Sequence, residues 1–219
     1  MPYKLVCFDI DGTLIDNVTS AWQLFHDHFR IDPQKRARAR DDFYAGKITY
    51  CEWAEHDVAL WIAQGATRER MIQAVTSLCV MKGALTAIGR LREKGIMLAV
   101  ISGSVDLIPH ALIPDFSDTF ADVFINRLHF DSKGKLTGVE VTDFDIDGKA
   151  EALKRIAERE GIALGECVFV GDHTNDIKAL KEAGLGIAFD PKDESLDQAA
   201  DVVIREKDIS LILPYILNS

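Results

Sequence analysis

The chain has 219 residues, 47% of them hydrophobic, a formal net charge of −10 and a pI near 5.0. That length fits one large domain or a domain carrying a smaller insertion, and so acidic a balance argues against nucleic acid as the main partner. No apolar run approaches the roughly 18–20 residues that cross a bilayer, and no basic segment with a long apolar core opens the chain, so neither a membrane span nor a signal peptide is expected. The four cysteines, Cys7, Cys51, Cys79 and Cys167, lack metal-type spacing and read as reduced, mostly buried thiols of a cytoplasmic protein.

Lys4–Phe8 reads as a buried strand ending in Asp9-Ile10-Asp11-Gly12-Thr13. The period of two turns Ile10 away and leaves Asp9 and Asp11 together at the C-terminal lip. Two carboxylates there can hold a hard cation, attack phosphorus or pass a proton; the plainer alternative is a strand-end turn, where Asp and Gly are common. From about Asp16 to Met81 the periodicity is helical, with no convincing strand. Trp22, Phe25 and Phe29 repeat at helical spacing, and Thr49-Tyr50-Cys51-Glu52 forms a capping-box pattern opening a helix to about Ala63. The block is expected to be a helical cap over the lip, its aromatics mostly cap core. The basic run from Lys35 to Arg40 reads as a solvated helix face.

From Lys82 the chain alternates. Helices are expected at Gly83–Lys94, Val105–Leu112, Gly148–Glu160 and Asn175–Ala183. Strands are expected at Ile96–Ile101, Ala121–Ile125, Cys167–Val170, Leu185–Phe189 and Val202–Ile204, with a hairpin within Arg127–Val141. The alternation implies an α/β fold with a mainly parallel sheet covered on both faces. The expected division is residues 1–15 and 82–219 as core and 16–81 as cap.

Three further sites follow strands. Ser102-Gly103-Ser104, expected at a helix start, is either an anion site or a simple cap. Lys149 opens a helix, where a cation is disfavoured unless an anion lies near. Gly171-Asp172-His173-Thr174-Asn175-Asp176 brings two acids and an Asn to the same lip; one acid could complete a metal site and the other hold Lys149.

In this order, Asp-x-Asp-Gly-Thr, Ser, Lys and Gly-Asp-x-x-x-Asp, the chain resembles the haloacid dehalogenase superfamily of phosphatases over nearly its whole length. Asn126-Arg127-Leu128, Gly134-Lys135-Leu136-Thr137-Gly138 and Gly171–Ile177 resemble the phosphoserine phosphatase-like branch in particular. The resemblance implies a Rossmann-like core with a helical cap after the first strand, and hydrolysis of a small-molecule phosphate monoester. It makes Asp9 the nucleophile and Asp11 the acid and then base. Ser102, Gly103, Lys149, Asn175, Gly12 and Thr13 would bind phosphate. Asp9, the Asp11 carbonyl and Asp172 would bind Mg²⁺, with Asp176 steadying Lys149. Mg²⁺ and Lys149 would offset the repulsion between a carboxylate and a phosphate dianion.

The branch pattern breaks at two candidate specificity positions. Val18 stands where that branch carries a Glu for the substrate ammonium, and Asp57 where it carries an Arg for the substrate carboxylate. The dephosphorylation residues match while the serine-binding residues do not. A sugar or nucleotide phosphate is therefore the alternative substrate, and a non-catalytic binding module on this scaffold the more distant alternative. Nothing in the sequence specifies an oligomeric state.

Overall fold

The computed structural model describes residues 3–218, so positions 1, 2 and 219 of the expected core lie outside the described residues. β1 (Leu5–Phe8) is followed by β2 (Ile15–Asp16) and four helices: α1 (Ala21–His28), α2 (Pro33–Tyr44), α3 (Tyr50–Ala63) and α4 (Arg68–Val75). β3 (Cys79–Val80), α5 (Ala84–Glu93), β4 (Met97–Val105), α6 (Leu107–Leu112), α7 (Phe116–Thr119), β5 (Asp122–Phe130) and β6 (Leu136–Glu140) come next. The chain closes with α8 (Lys149–Glu160), β7 (Cys167–Gly171), α9 (Ile177–Glu182), β8 (Leu185–Phe189), β9 (Val202–Ile204) and α10 (Leu213–Leu217). No helix of the described residues is long and apolar enough to cross a membrane.

Seven strands form one sheet in the order β6-β5-β4-β1-β7-β8-β9, parallel except for the β5–β6 hairpin. Every side chain of β1 is buried, as a strand covered on both faces requires. Val6 and Phe8 join one apolar cluster with Ile88 and Leu91 of α5 and Ile108 of α6. Leu5 and Cys7 join the other, with Leu153 and Ile156 of α8 and Leu180 of α9. The alternation of a strand thus fills both layers. Helix ends follow local chemistry: α5 and α8 run into Gly95 and Gly161, both at positive φ (71° and 66°), the conformation that closes a helix.

The helices α1–α4 leave the lip between β2 and β3, which pair antiparallel as a two-stranded ribbon. Thr49 and Glu52 form the expected capping box at α3, the Glu52 N–H donating to Thr49 Oγ1 at 3.2 Å and the Thr49 N–H to Glu52 Oε2 at 2.7 Å. The hairpin rises to meet these helices. The Arg68 N–H donates to the Gly134 carbonyl (2.8 Å), and the Leu136 N–H to the Ala66 carbonyl (3.1 Å).

Some elements differ from expectation. β2 and β3 hold two residues each, too few for any periodicity to show. β4 runs on through Ser102-Gly103-Ser104 to Val105, shifting register against β5 between Ile101 and Val105. Ser102 therefore lies in a strand, not at a helix start, and α6 begins only at Leu107. β5 extends to Phe130 because it pairs with β4 below and β6 above. Of the cysteines, Cys7 and Cys167 are buried while Cys51 and Cys79 are exposed, so half rather than most are buried.

Candidate active site

β1 lies between β4 and β7, with Phe8 level with Val100 and Val170. Asp9, Ser102 and Asp172 therefore emerge side by side where the strand order reverses, the place where open parallel sheets bind ligands. Asp9 is 5% exposed, and its N–H donates to the Val170 carbonyl at 3.0 Å. Its Oδ1 lies 3.1 Å from Lys149 Nζ yet makes no aligned hydrogen bond, so that oxygen keeps its lone pairs.

Asp11 accepts from Ser104 Oγ at 2.7 Å and from the Ala21 N–H at 2.6 Å. Burial pushes its carboxyl up to about 6; the Ser104 hydrogen bond pulls it down, and the Asp9 charge pushes it up again. Lys149 is 1% exposed. Burial alone would lower its pKa, but the carboxylates of Asp176 (2.7 Å) and Asp9 reverse this and hold it above the usual lysine value.

Asp9, Asp172 and Asp176 bring carboxylate oxygens within 4.8 Å of one another, close enough to hold a metal ion. Asp176 is already committed: Oδ1 to Lys149, Oδ2 to the N–H groups of Asp172 and His173, both at 3.0 Å. Asp9 and Asp172 are the acids left to ligate. Gly12 makes room for Asp172: at its φ of 78°, a Cβ would sit 2.2 Å from Asp172 Oδ2. Burial first, then the charges of Asp9 and Asp176, hold the Asp172 carboxyl above its ordinary range. A buried acid that resists ionisation, with the Asp9 carboxyl beside it, fits a site built for a cation.

Gly12 and Thr13 do not line the cavity above the lip. The Gly12 N–H donates to the Ile15 carbonyl and the Thr13 N–H to the Ile10 carbonyl, while the Thr13 hydroxyl donates to Asp172 Oδ1 at 3.3 Å. Their donors are spent on the turn and on Asp172. Ser102, Gly103, Lys149 and Asn175 do line a cavity of about 580 Å³ above the lip, together with Asp9 and Asp11. Its upper wall comes from α1–α3 and includes Trp22, Tyr50, Trp53 and Asp57. Val18 is not on that wall; it packs, half-buried, against the apolar cluster.

A family profile for haloacid dehalogenase-like hydrolases matches residues 3–184. The chain belongs to that family. Among curated relatives, the hydrolase is 33% identical over 214 residues to a phosphoserine phosphatase of Methanocaldococcus jannaschii, covering 97% of each chain. It is 32% identical over 191 residues to one of Streptomyces coelicolor, covering 86% of this chain and 44% of that one. A substrate-bound phosphoserine phosphatase complex superimposes with a TM-score of 0.76 at 30% identity over 99% of each chain. A phospho-aspartyl intermediate analogue of phosphoserine phosphatase gives 0.76 at 31% identity, covering 99% of this chain and 100% of that one. The hydrolase is thus a phosphatase of the phosphoserine phosphatase type.

Sequence reasoning missed several residues of the hydrolase site. Asp145, half-buried on the cavity wall, accepts from the Tyr50 hydroxyl. Its carboxyl touches the backbone of Gly103, where a Cβ would fall 1.7 Å from Asp145 Oδ1. Asn126 donates to the Gly103 carbonyl at 2.8 Å and to Tyr50 Oη at 3.1 Å. Ser104 orients Asp11. The buried Asn within a strand was a readable signal; Asp145, in an acidic loop, had none.

Proposed function

We propose that the chain is a Mg²⁺-dependent phosphomonoesterase acting on a small-molecule phosphate ester through a phosphoryl group carried on Asp9. The observation that carries this reading is the placement of Asp9 between Lys149 and Asp172, with a carboxyl raised to about 6, Asp11, beside it. Asp9 attacks phosphorus and the bond to the leaving oxygen breaks; Asp11 gives that oxygen its proton. A water then attacks the phosphorus of the aspartyl phosphate, Asp11 takes the proton, and phosphate leaves as the bond to Asp9 breaks. A group titrating near 6 is suited to both proton transfers close to neutral pH.

Ser102, Lys149 and Asn175 hold the phosphoryl oxygens; Asn175 Nδ2 spends one hydrogen on the Asp145 carbonyl (3.2 Å) and has the second to donate. Asp9, Asp172 and the Asp11 carbonyl would hold Mg²⁺, with Asp176 steadying Lys149. When bound there, Mg²⁺ supplies positive charge between the nucleophile and the phosphate dianion. Residues 16–81 serve as the cap and 1–15 with 82–219 as the catalytic core. A cytoplasmic setting is supported by four free thiols.

Asp57 on the cavity wall supports a second reading of the leaving group, since a substrate carboxylate would be repelled there. The test is phosphate release with Mg²⁺ or EDTA from phospho-L-serine and from sugar, nucleotide and polyol phosphates. Turnover is expected to require Mg²⁺, and Asp9→Asn to lower kcat by roughly 10³-fold or more with the fold intact. Full activity in a clean Asp9→Asn preparation would overturn the covalent route.

A further inference from the structure

The cap holds a polar chain that dephosphorylation does not use. Trp61 Nε1 lies 3.2 Å from His26 Nδ1, and His26 Nε2 lies 2.9 Å from Asp57 Oδ2. All three side chains are buried: Trp61 0%, His26 2% and Asp57 2% exposed. An indole N–H can only donate, so His26 Nδ1 must accept. The imidazole proton therefore sits on Nε2 and donates to Asp57. A second ring proton on Nδ1 would face the Trp61 N–H head-on. The arrangement thus keeps the imidazole neutral and leaves Asp57 a carboxylate oriented by a neutral donor.

That carboxylate reaches the cavity. Tyr50, Trp53, Ala54 and Asp57 follow one another at helical spacing along α3 and all line it. Asp57 is near enough to Tyr50 for its charge to bear on that hydroxyl. Its Oδ1 has one further neighbour, His56 Nδ1, at 3.4 Å on a side chain 40% exposed. No Lys or Arg pairs with Asp57 among the described residues. Arg36, the cap cation on the cavity wall, donates to the neutral Gln23 Oε1 and makes no ion pair with Asp57 or any other carboxylate among the described residues. Lys149 is matched by Asp9 and Asp176, and Lys178 by Asp147 at 2.8 Å. The wall that meets the leaving group therefore carries a buried anion that no Lys or Arg pairs, and Trp22 and Trp53 line the same cavity. Burying such an anion is costly unless a cation joins it. Aromatic side chains in the same cavity suit the same occupant.

We propose, resting on the phosphatase reading above, that Asp57 is the specificity-determining residue for a protonated amine. The substrate is then a phosphomonoester whose leaving group bears an ammonium, docked against Asp57 while phosphate meets Lys149. His26 and Trp61 are positioning residues that keep the carboxylate aimed.

The experiment compares phosphoethanolamine with 2-hydroxyethyl phosphate, its neutral counterpart, using the whole enzyme with Mg²⁺. The wild type is expected to favour the amine at least tenfold in kcat/KM, chiefly through KM. In Asp57→Asn, which still accepts from His26, that ratio is expected to fall at least tenfold; rescue by Asp57→Glu would mark a charge effect. An equal or reversed wild-type ratio overturns the proposal whether or not a variant folds, and so does a preference that survives Asp57→Asn. If neither ester nor p-nitrophenyl phosphate is hydrolysed, the phosphatase reading itself fails instead.

Discussion

Lys149 sits in the first turn of a helix, where the dipole opposes a cation. Two buried carboxylates make it stable there, and each of the three groups is tolerable only with the others. Removing Asp176 leaves a buried ammonium half-compensated and frees two backbone N–H groups. Asp176→Ala is expected to lower stability by about 3–5 kcal/mol, measured by urea denaturation at pH 7; a loss under 1 kcal/mol would contradict this. Asp11 works in the opposite direction. Its carboxyl titrates near 6 when folded against 3.8 ordinarily, so the folded state binds its proton more tightly. Without metal, stability should therefore fall as pH rises from about 4 to 6, by roughly 2 kcal/mol from this group alone. Asp172 adds a loss of the same sign. The carboxylates held low by partners, such as Asp16 and Asp208, gain their share below about pH 4.5 and do not mask it. Thermal melts in EDTA across this range should show the decline, and Asp11→Asn should flatten it.

At the scale of elements, α3 serves two ends at once. One of its faces lines the cavity while Val58 and Trp61 enter the apolar core. Trp61 packs with ring centroids 5.3 Å from Trp22 and 5.4 Å from Phe25. Trp61→Ala should cost about 3–5 kcal/mol by cavity formation. Thr49→Ala, which removes only the cap, should cost about 1 kcal/mol. Denaturation midpoints of the two variants check the ordering; similar losses would mean that packing at Trp61 is slack.

Across the whole molecule, α1 and α3 are tied to the strand ends by a few long-range hydrogen bonds. The first N–H of α1, at Ala21, reaches Asp11, and Trp22 Nε1 donates to the Gly103 carbonyl at 2.9 Å. Tyr50 donates to Asp145 and accepts from Asn126, bridging α3 to the strand ends. Asp11, the Ser102-Gly103-Ser104 run and helices α1 and α3 are thus positioned together. Tyr50→Phe removes the bridge without emptying the wall. It is expected to lower kcat/KM roughly three- to tenfold, as the loss of a hydrogen bond or two implies, while far-ultraviolet circular dichroism stays unchanged. Unaltered kinetics would show that the bridge does not order the cap.

The sequence by itself determined the elements whose signal is local and the order of the motifs along them. The apolar runs of β8 and β9, the capping box of α3 and the glycine that ends α8 are written in neighbouring residues, and there the expected limits held. The acids of Asp9, Asp11 and Asp172 were legible because each follows an apolar strand. Tertiary structure alone decided the rest. β2 and β3 exist only by pairing with each other across the four intervening helices. The run of β4 through Ser102-Gly103-Ser104 exists because β5 lies beside it. Asp145 gains its place from Tyr50, 95 positions away, and Thr13 is drawn to Asp172, 159 positions away. Val18 and Asp57 looked alike in the sequence, two departures in one cap. Packing separated them, setting one half-buried against the apolar cluster and holding the other on the cavity wall through His26. Local propensity reports a residue's neighbours in the chain, whereas charge, burial and hydrogen bonding in a site depend on partners that only folding brings near.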